Sequence, residues 1–415
     1  MIVKKWNDSK LGELGEFSNG VNFTRDQMGQ SSSRSLKLIN VKDLYNDGPY
    51  LDFSNLDHIT LKSLEKFRGY LVKKDDIFFA RSSVKRDGVG VVELAKEDND
   101  ECVHCGFVIR FRSSSPKIDK LYLTYLLRSP FYRQAIINLS SGATITNIAQ
   151  GNLRNLPIIY PPLPTQQKIA DVLSAYDDLI ENNNKRIALL EKAAEEIYRE
   201  WFVRMRFPGW QNVRFVKGVP AGWERLAVSM MSNEIRGITK IKNISPTTKY
   251  LGLEHLPRKS IAITSFDRVE SVQSDKLLFK ERDILFGKIR PYLHKVALAH
   301  FSGVCSSDTI IVRPKKLEFE GYLLFTLFSE TFIELATISS KGTKMPRADW
   351  DFLKKLEILC PPESILQEFQ KQFDSMFNSI CSYLRQNELL KQSRDLLLPR
   401  LISGKVSVAG LRVRS

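Results

Sequence analysis

Cysteine and histidine are scarce, five of each in 415 residues. The cysteines (Cys102, Cys105, Cys305, Cys360, Cys381) form an odd, scattered set, which argues against a disulfide framework and for a reducing, cytoplasmic setting. Cys102-Val103-His104-Cys105 has metal-like spacing, but a structural zinc needs four ligands and no second pair follows, so no metal is expected. Long apolar runs are missing too. No stretch of about 18 apolar residues occurs, and Met1-Ile2-Val3-Lys4-Lys5-Trp6 has no apolar segment behind its lysines, so neither membrane spanning nor secretion is expected. There is no Gly-Lys-Ser/Thr phosphate loop. Gly88-Val89-Gly90 lacks the third glycine and the acid of a nucleotide site, so no cofactor is expected.

What the chain does have is positive charge. Lys and Arg number 62 against 47 Asp and Glu, a net +15, which points to a polyanionic partner. With 43% hydrophobic residues, the length suits two to four domains with real cores.

The sequence also repeats itself, at an offset of 200 residues. Ser141-Gly142-Ala143-Thr144 leads through Leu153 and Leu156 to Ile158-Ile159-Tyr160-Pro161-Pro162. Lys341-Gly342-Thr343-Lys344 leads through Leu353 and Leu356 to Ile358-Leu359-Cys360-Pro361-Pro362. Asp76-Ile77-Phe78-Phe79-Ala80-Arg81 matches Asp283-Ile284-Leu285-Phe286-Gly287-Lys288 after a small shift, and segments from Trp6 and Trp223 open the two copies. Short β-type runs (Val89 to Leu94, Phe107 to Phe111, Thr309 to Val312) alternate with helical patterns near Leu121 and Tyr322, so each module reads as α+β.

A long helix follows each module. Ile169, Leu173, Tyr176, Ile180, Asn183, Ile187, Leu190, Ala194, Ile197 and Trp201 fall in steps of four and three, the seam of a left-handed coiled coil. Phe369, Phe373, Met376, Ile380, Tyr383, Asn387, Leu390, Arg394, Leu397 and Leu401 form a second seam, interrupted by Asn387 and Arg394, and Pro399 is expected to end it. The organisation expected is a module at 1–160, a spacer helix at 161–206, a second module at 207–362, a second helix at 363–402 and a tail at 403–415. Connectivity makes the helices antiparallel, with the first roughly 57 Å long.

The modules carry +5 and +8, the first helix −1 and the C-terminal segment +3. Two basic heads on a neutral rod suit two separated half-sites on duplex DNA. The contact candidates are loop residues after equivalent strands: Arg81, Ser82, Ser83, Lys85 and Arg86 in the first module, and Lys288, Arg290, Tyr292, His294 and Lys295 in the second. A second equivalent pair of loops adds Thr144, Thr146 and Asn147, and Thr343, Lys344 and Arg347. Taken singly, each charge is as well explained by solvation; it is the recurrence at equivalent positions that singles out the loops.

The ordered set of Pro161-Pro162-Leu163-Pro164-Thr165-Gln166-Gln167, Arg206-Phe207-Pro208-Gly209-Trp210, Pro220-Ala221-Gly222-Trp223-Glu224 and Leu398-Pro399-Arg400-Leu401-Ile402-Ser403-Gly404-Lys405 resembles the specificity subunits of type I restriction–modification systems over the whole chain. That resemblance implies two target-recognition domains, each reading half of a bipartite double-stranded DNA sequence. It also implies paired helices that act as spacer and dock two methyltransferase subunits, with restriction/translocase subunits joining the assembly. Tyr160-Pro161-Pro162-Leu163 lacks the flanking residues of an adenine methyltransferase loop, and catalysis is not expected in this chain. The alternatives are a coiled-coil adaptor that binds no DNA, or a nuclease or methyltransferase acting alone.

Overall fold

The computed structural model describes residues 6–23, 28, 35–60, 65–142, 144–271, 274–342 and 344–410. The chain divides into two compact units, Met1–Ile180 with Leu389–Ser415, and Glu181–Glu388. Both divisions fall inside the long helices.

The first unit is built from β1 (Asn7–Lys10), β2 (Gly15–Asn19), β3 (Ser35–Ile39), β4 (Asp57–Thr60), β5 (Asp76–Ala80), β6 (Ser82–Ser83), β7 (Val92–Leu94), β8 (Cys102–His104), β9 (Val108–Ser113), β10 (Thr146–Asn147) and β11 (Pro157–Tyr160), with helices α1 (Lys120–Arg128), α2 (Pro130–Asn138) and α3 (Gln150–Arg154). One antiparallel sheet runs β2-β9-β5-β7 and a second runs β4-β3-β8, with β3 and β8 parallel. Strand β5 is buried along its whole length. Its side chains alternate, as the two-residue period of a strand requires. Ile77 and Phe79 join the core of Tyr122, Leu123 and Leu126 from α1, while Phe78 and Ala80 join the core of Leu38, Ile39 and Val103. Helix α1 starts where the Asp119 carboxylate accepts from the Tyr122 N–H at 2.7 Å. Strand β1 pairs with β11, so the start and end of the module meet where helix α4 (Leu163–Tyr198) departs.

The second unit holds β12 (Phe215–Val216), β13 (Val219–Pro220), β14 (Glu224–Ala227), β15 (Ser232–Ile235), β16 (Ile238–Thr239), β17 (Lys249–Leu251), β18 (Asp267–Arg268), β19 (Lys276–Phe279), β20 (Ile284–Gly287), β21 (Val296–Leu298), β22 (Gly303–Cys305), β23 (Thr309–Pro314) and β24 (Glu357–Cys360). Its helices are α5 (Val228–Met231), α6 (Glu320–Phe328), α7 (Glu330–Ile338), α8 (Trp350–Leu353) and α9 (Glu363–Ile402). The sheet order β15-β23-β20-β21 follows the pattern of β2-β9-β5-β7, and β18-β17-β22 again contains a parallel pair. Strand β14 closes on β24 as β1 closes on β11. In the first unit Asp76 takes two hydrogen bonds from Arg112, at 2.6 and 2.7 Å; in the second Asp283 takes two from Arg313, both at 2.7 Å.

Within each unit a segment of α4 packs against a segment of α9, one numbering rising as the other falls. In the first, Ile169 and Leu173 share a core with Leu398, Leu401 and Ile402, and Asp177 pairs with Arg394. In the second, Asn183 bonds Asn387, Arg186 bonds the Tyr383 hydroxyl at 3.2 Å, and the rings of Trp201 and Phe202 pack at an angle against Phe369. The contact stripe is wider than the expected seam: Phe377, Leu384 and Leu398 are more deeply buried than Met376, Tyr383 and Leu397. Pro399 does not end α9, which continues to Ile402. A proline in the last turn forfeits one main-chain hydrogen bond, and the helix stops instead at Gly404, in the left-handed region at φ 72°. Among the described residues no single helix is long and apolar enough to cross a membrane.

Candidate nucleic-acid interface

The two loops that the sequence singles out in each copy are stitched together by main-chain hydrogen bonds. In the first unit β5 ends at Ala80 and the chain turns through Arg81 into β6, which pairs antiparallel with β10 (Ser83 opposite Thr146, Ser82 opposite Asn147). The Arg81 carbonyl accepts from the Ile148 N–H at 2.9 Å. In the second unit β20 ends at Gly287, the Lys288 carbonyl accepts from the Ala348 N–H at 2.9 Å, and Arg290 N–H donates to the Pro346 carbonyl at 2.7 Å. Each second loop is closed on itself by a reciprocal pair of main-chain bonds, Ser141 with Asn147 and Lys341 with Arg347. The first of these turns needs Gly142, whose φ is 121° and where a Cβ would lie 2.0 Å from the Ile145 carbonyl oxygen.

Lys85, Arg86, Thr144 and Asn147 are exposed in the first unit, and Arg290, Tyr292, Lys344 and Arg347 in the second. Ser82 and Ser83 are half-buried; the Ser82 hydroxyl meets the Asn147 Oδ1 at 2.5 Å, and the Tyr45 hydroxyl donates to Ser83 at 3.3 Å. Arg81 is turned partly inward and donates to the Gly106 carbonyl at 3.2 Å. Lys288 is half-buried and donates its main-chain N–H to the Asp308 carbonyl at 2.8 Å. Thr343 lies outside the described residues.

Three expected contacts are placed otherwise. Thr146 is buried, because β10 turns its side chain under the β6 pairing. His294 is 3% exposed and packs on Phe328. The short turn Pro291–Leu293 is bracketed by left-handed residues, Arg290 at φ 51° and His294 at φ 52°, and this swings the imidazole inward while Tyr292 stays out. Burial holds the His294 pKa below its ordinary value despite Glu330 nearby. Lys295 is half-buried, its ammonium bonded to the Leu253 carbonyl, and burial lowers its pKa.

The second unit adds a cleft of about 600 Å³ beside the stitched loops, lined among others by Lys288, Lys341, Arg347, Arg236 and Trp350, with Glu234, Asp349 and Asp351 balancing most of the charge. Lys341 and Arg236 escape a reading restricted to the strand-following loops. The signal for Lys341 was present, since it opens the repeated Lys341-Gly342-Thr343-Lys344 turn. All five cysteines are free and buried, and no group of three or more His, Cys, Asp or Glu suited to a metal occurs among the described residues.

Modules of this kind have counterparts among DNA specificity domains. Residues 3–192 match the family described as the type I restriction modification DNA specificity domain. The MjaIX specificity subunit of Methanocaldococcus jannaschii is 28% identical across 99% of this chain and 95% of its own length, and the HindI specificity subunit of Haemophilus influenzae is 21% identical across 97% and 100%. The crystal structure of the type I restriction–modification S subunit from M. genitalium has a similar fold, with a TM-score of 0.54 at 15% identity over 97% of each chain. The chain is thus similar, over nearly its whole length, to specificity subunits of type I restriction–modification systems.

Proposed function

We propose that this chain is the non-catalytic DNA-recognition subunit of a type I restriction–modification complex, in which each module reads one half of a bipartite duplex target. The observation that carries this reading is the recurrence of one construction in both units: two loops stitched by main-chain hydrogen bonds, with Lys85 and Arg86, or Arg290, Lys344 and Arg347, held exposed on them. Lys85, Arg86 and Lys344 suit phosphates, and an arginine that reaches a base edge, as Arg347 would, reads guanine through two hydrogen bonds, each good pair being worth about 1–3 kcal/mol of discrimination. The partners are DNA and the other subunits of the complex. In the finer reading, α4 and α9 form an antiparallel coiled coil that joins the modules, fixes the spacer between half-sites and docks two methyltransferase subunits, to which restriction/translocase subunits add. The antiparallel packing within each unit supports that arrangement, and the five free cysteines suit a reducing cytoplasm.

The test is a methylation assay with the cognate methyltransferase subunit. Methylation at a bipartite site must depend on this chain, and exchanging residues 207–362 for another module must change one half-site only. Methylation that proceeds without the chain would remove the proposal.

A further inference from the structure

The two units build the same frame but dress it differently. In the first, Arg81 N–H donates to the Phe107 carbonyl at 2.9 Å; in the second, Lys288 N–H donates to the Asp308 carbonyl at 2.8 Å. Phe107 and Asp308 therefore occupy matching places beside the stitched loops. Asp308 is charged and faces Arg347 at 3.7 Å. Phe107 is 64% exposed. Two residues along the first loop from Ser82 stands Val84, 82% exposed, whose counterpart in the second unit, Pro291, is buried. Ile145, 50% exposed on the adjoining loop, has an exposed counterpart in Met345 at 45%, so the difference between the units lies at Phe107 and Val84. The first unit thus presents two large apolar side chains, Phe107 and Val84, that the second unit lacks, on the same loop cluster as Lys85 and Arg86. A single exposed apolar residue means little, but a cluster on a basic, rigid face marks a contact surface with an apolar component.

In DNA one sequence-specific group answers that description. The thymine 5-methyl projects into the major groove, where the phosphates that Lys85 and Arg86 suit lie on either side, and apolar side chains distinguish it from the bare C5 of cytosine. We propose that Phe107 and Val84 are specificity-determining residues that read thymine methyl groups in the half-site of the first module, whereas the second module, with Asp308 in the matching place, reads its half-site without them. This rests on the DNA-recognition reading above.

The experiment uses the full chain and its bipartite target duplex, with each thymine replaced in turn by deoxyuridine, which removes only the methyl group. Equilibrium binding is measured for the wild type and for Phe107→Ala and Val84→Ser. The wild type should lose about 4-fold in affinity for each methyl it touches, the equivalent of one methylene returned to water, and only within the first module's half-site. Each variant should bind the thymine duplex more weakly and lose the thymine preference at the position its side chain reads, while keeping it at the other. Both side chains are exposed, so circular dichroism should show both variants folded. Uniform binding across the deoxyuridine series, or equal sensitivity in both half-sites, overturns the proposal. So does an unchanged thymine preference in both variants. Failure of the wild type to bind any duplex in a salt-dependent way instead overturns the recognition reading itself.

Discussion

Asn183 donates its side-chain amide to the Oδ1 of Asn387 at 2.9 Å, and Asn387 in turn donates to Asn184 at 2.8 Å, in an interior where Asn183 and Asn387 are both buried. Ile187, Ile380 and Leu384 form the adjacent apolar layer. An amide pair in such a layer contributes less stability than two leucines would, but it accepts only one alignment of the helices, because a slipped register faces each amide with a hydrocarbon.

Replacing one member should therefore hurt more than replacing both. Asn183→Leu strips the buried Asn387 Oδ1 of its donor, Asn387→Leu leaves the Asn183 amide only the Gln386 Oε1 at 3.4 Å, and either should lower the unfolding free energy by about 1–3 kcal/mol. The double variant should recover most of that deficit. Urea unfolding of the three variants measures it; additive effects would mean that the two amides are not coupled.

Arg112 and Asp76 form a second coupled pair with a built-in asymmetry. Asp76 is fully buried and Arg112 is one-third exposed. Arg112→Ala strands a carboxylate inside the module, and although the Lys73 N–H still donates to it at 2.8 Å, the destabilisation should approach about 3–5 kcal/mol. Asp76→Ala leaves a guanidinium that water can reach and should cost less. Thermal unfolding of the two variants gives the order.

Glu93 gives the first unit a pH dependence. Burial pushes its pKa up to about 8, against two hydrogen bonds from Asn46 at 2.8 and 3.0 Å. A carboxyl raised in the folded state favours folding most when protonated. Its contribution is complete below the unfolded value near 4.5 and is lost as pH climbs through about 8. Stability measured by urea midpoint should fall between about pH 6.5 and 8.5, above the range in which His104 offsets it, and Glu93→Gln should flatten that decline. His104, buried and held down to about 3, acts in the opposite direction and at lower pH, below its ordinary value of 6.5.

Binding to duplex DNA should weaken steeply with salt. Lys85→Gln together with Arg86→Gln should reduce the slope of log affinity against log salt by about 1 for each phosphate left without its cation, without changing which sequence is preferred. Arg347→Gln should do more if it reaches a base edge, relaxing preference at one position of the second half-site. Fluorescence anisotropy across a salt series and a set of single-base changes separates the two effects.

Features with a strict period are legible in the sequence alone. The four-and-three steps from Ile169 to Trp201 locate α4, and the matched turns at Gly142 and Gly342 locate the second loop in each copy. What periodicity cannot supply is the partner of each exception. Asn387 and Arg394 read as breaks in a seam because their partners, Asn183 and Asp177, lie more than 200 residues away in sequence. Residue type misleads at His294 and Thr146 for a different reason. Polar side chains in loops are expected to face water, but the left-handed backbone at His294 and the strand pairing at Thr146 decide orientation, and neither leaves a mark in composition. Phe107 and Val84 escape notice because an apolar residue in a sequence is assumed to be inside.

The first unit is assembled from both ends of the polypeptide: Leu398, Leu401, Ile402 and Val408 lie in the same core as Leu11, Leu123 and Ile169. Damage therefore does not follow gene order. Loss of residues 398–408 would spare every residue of the second unit's stitched loops yet strip the inner lining from the first unit, whose own strands all lie before residue 161.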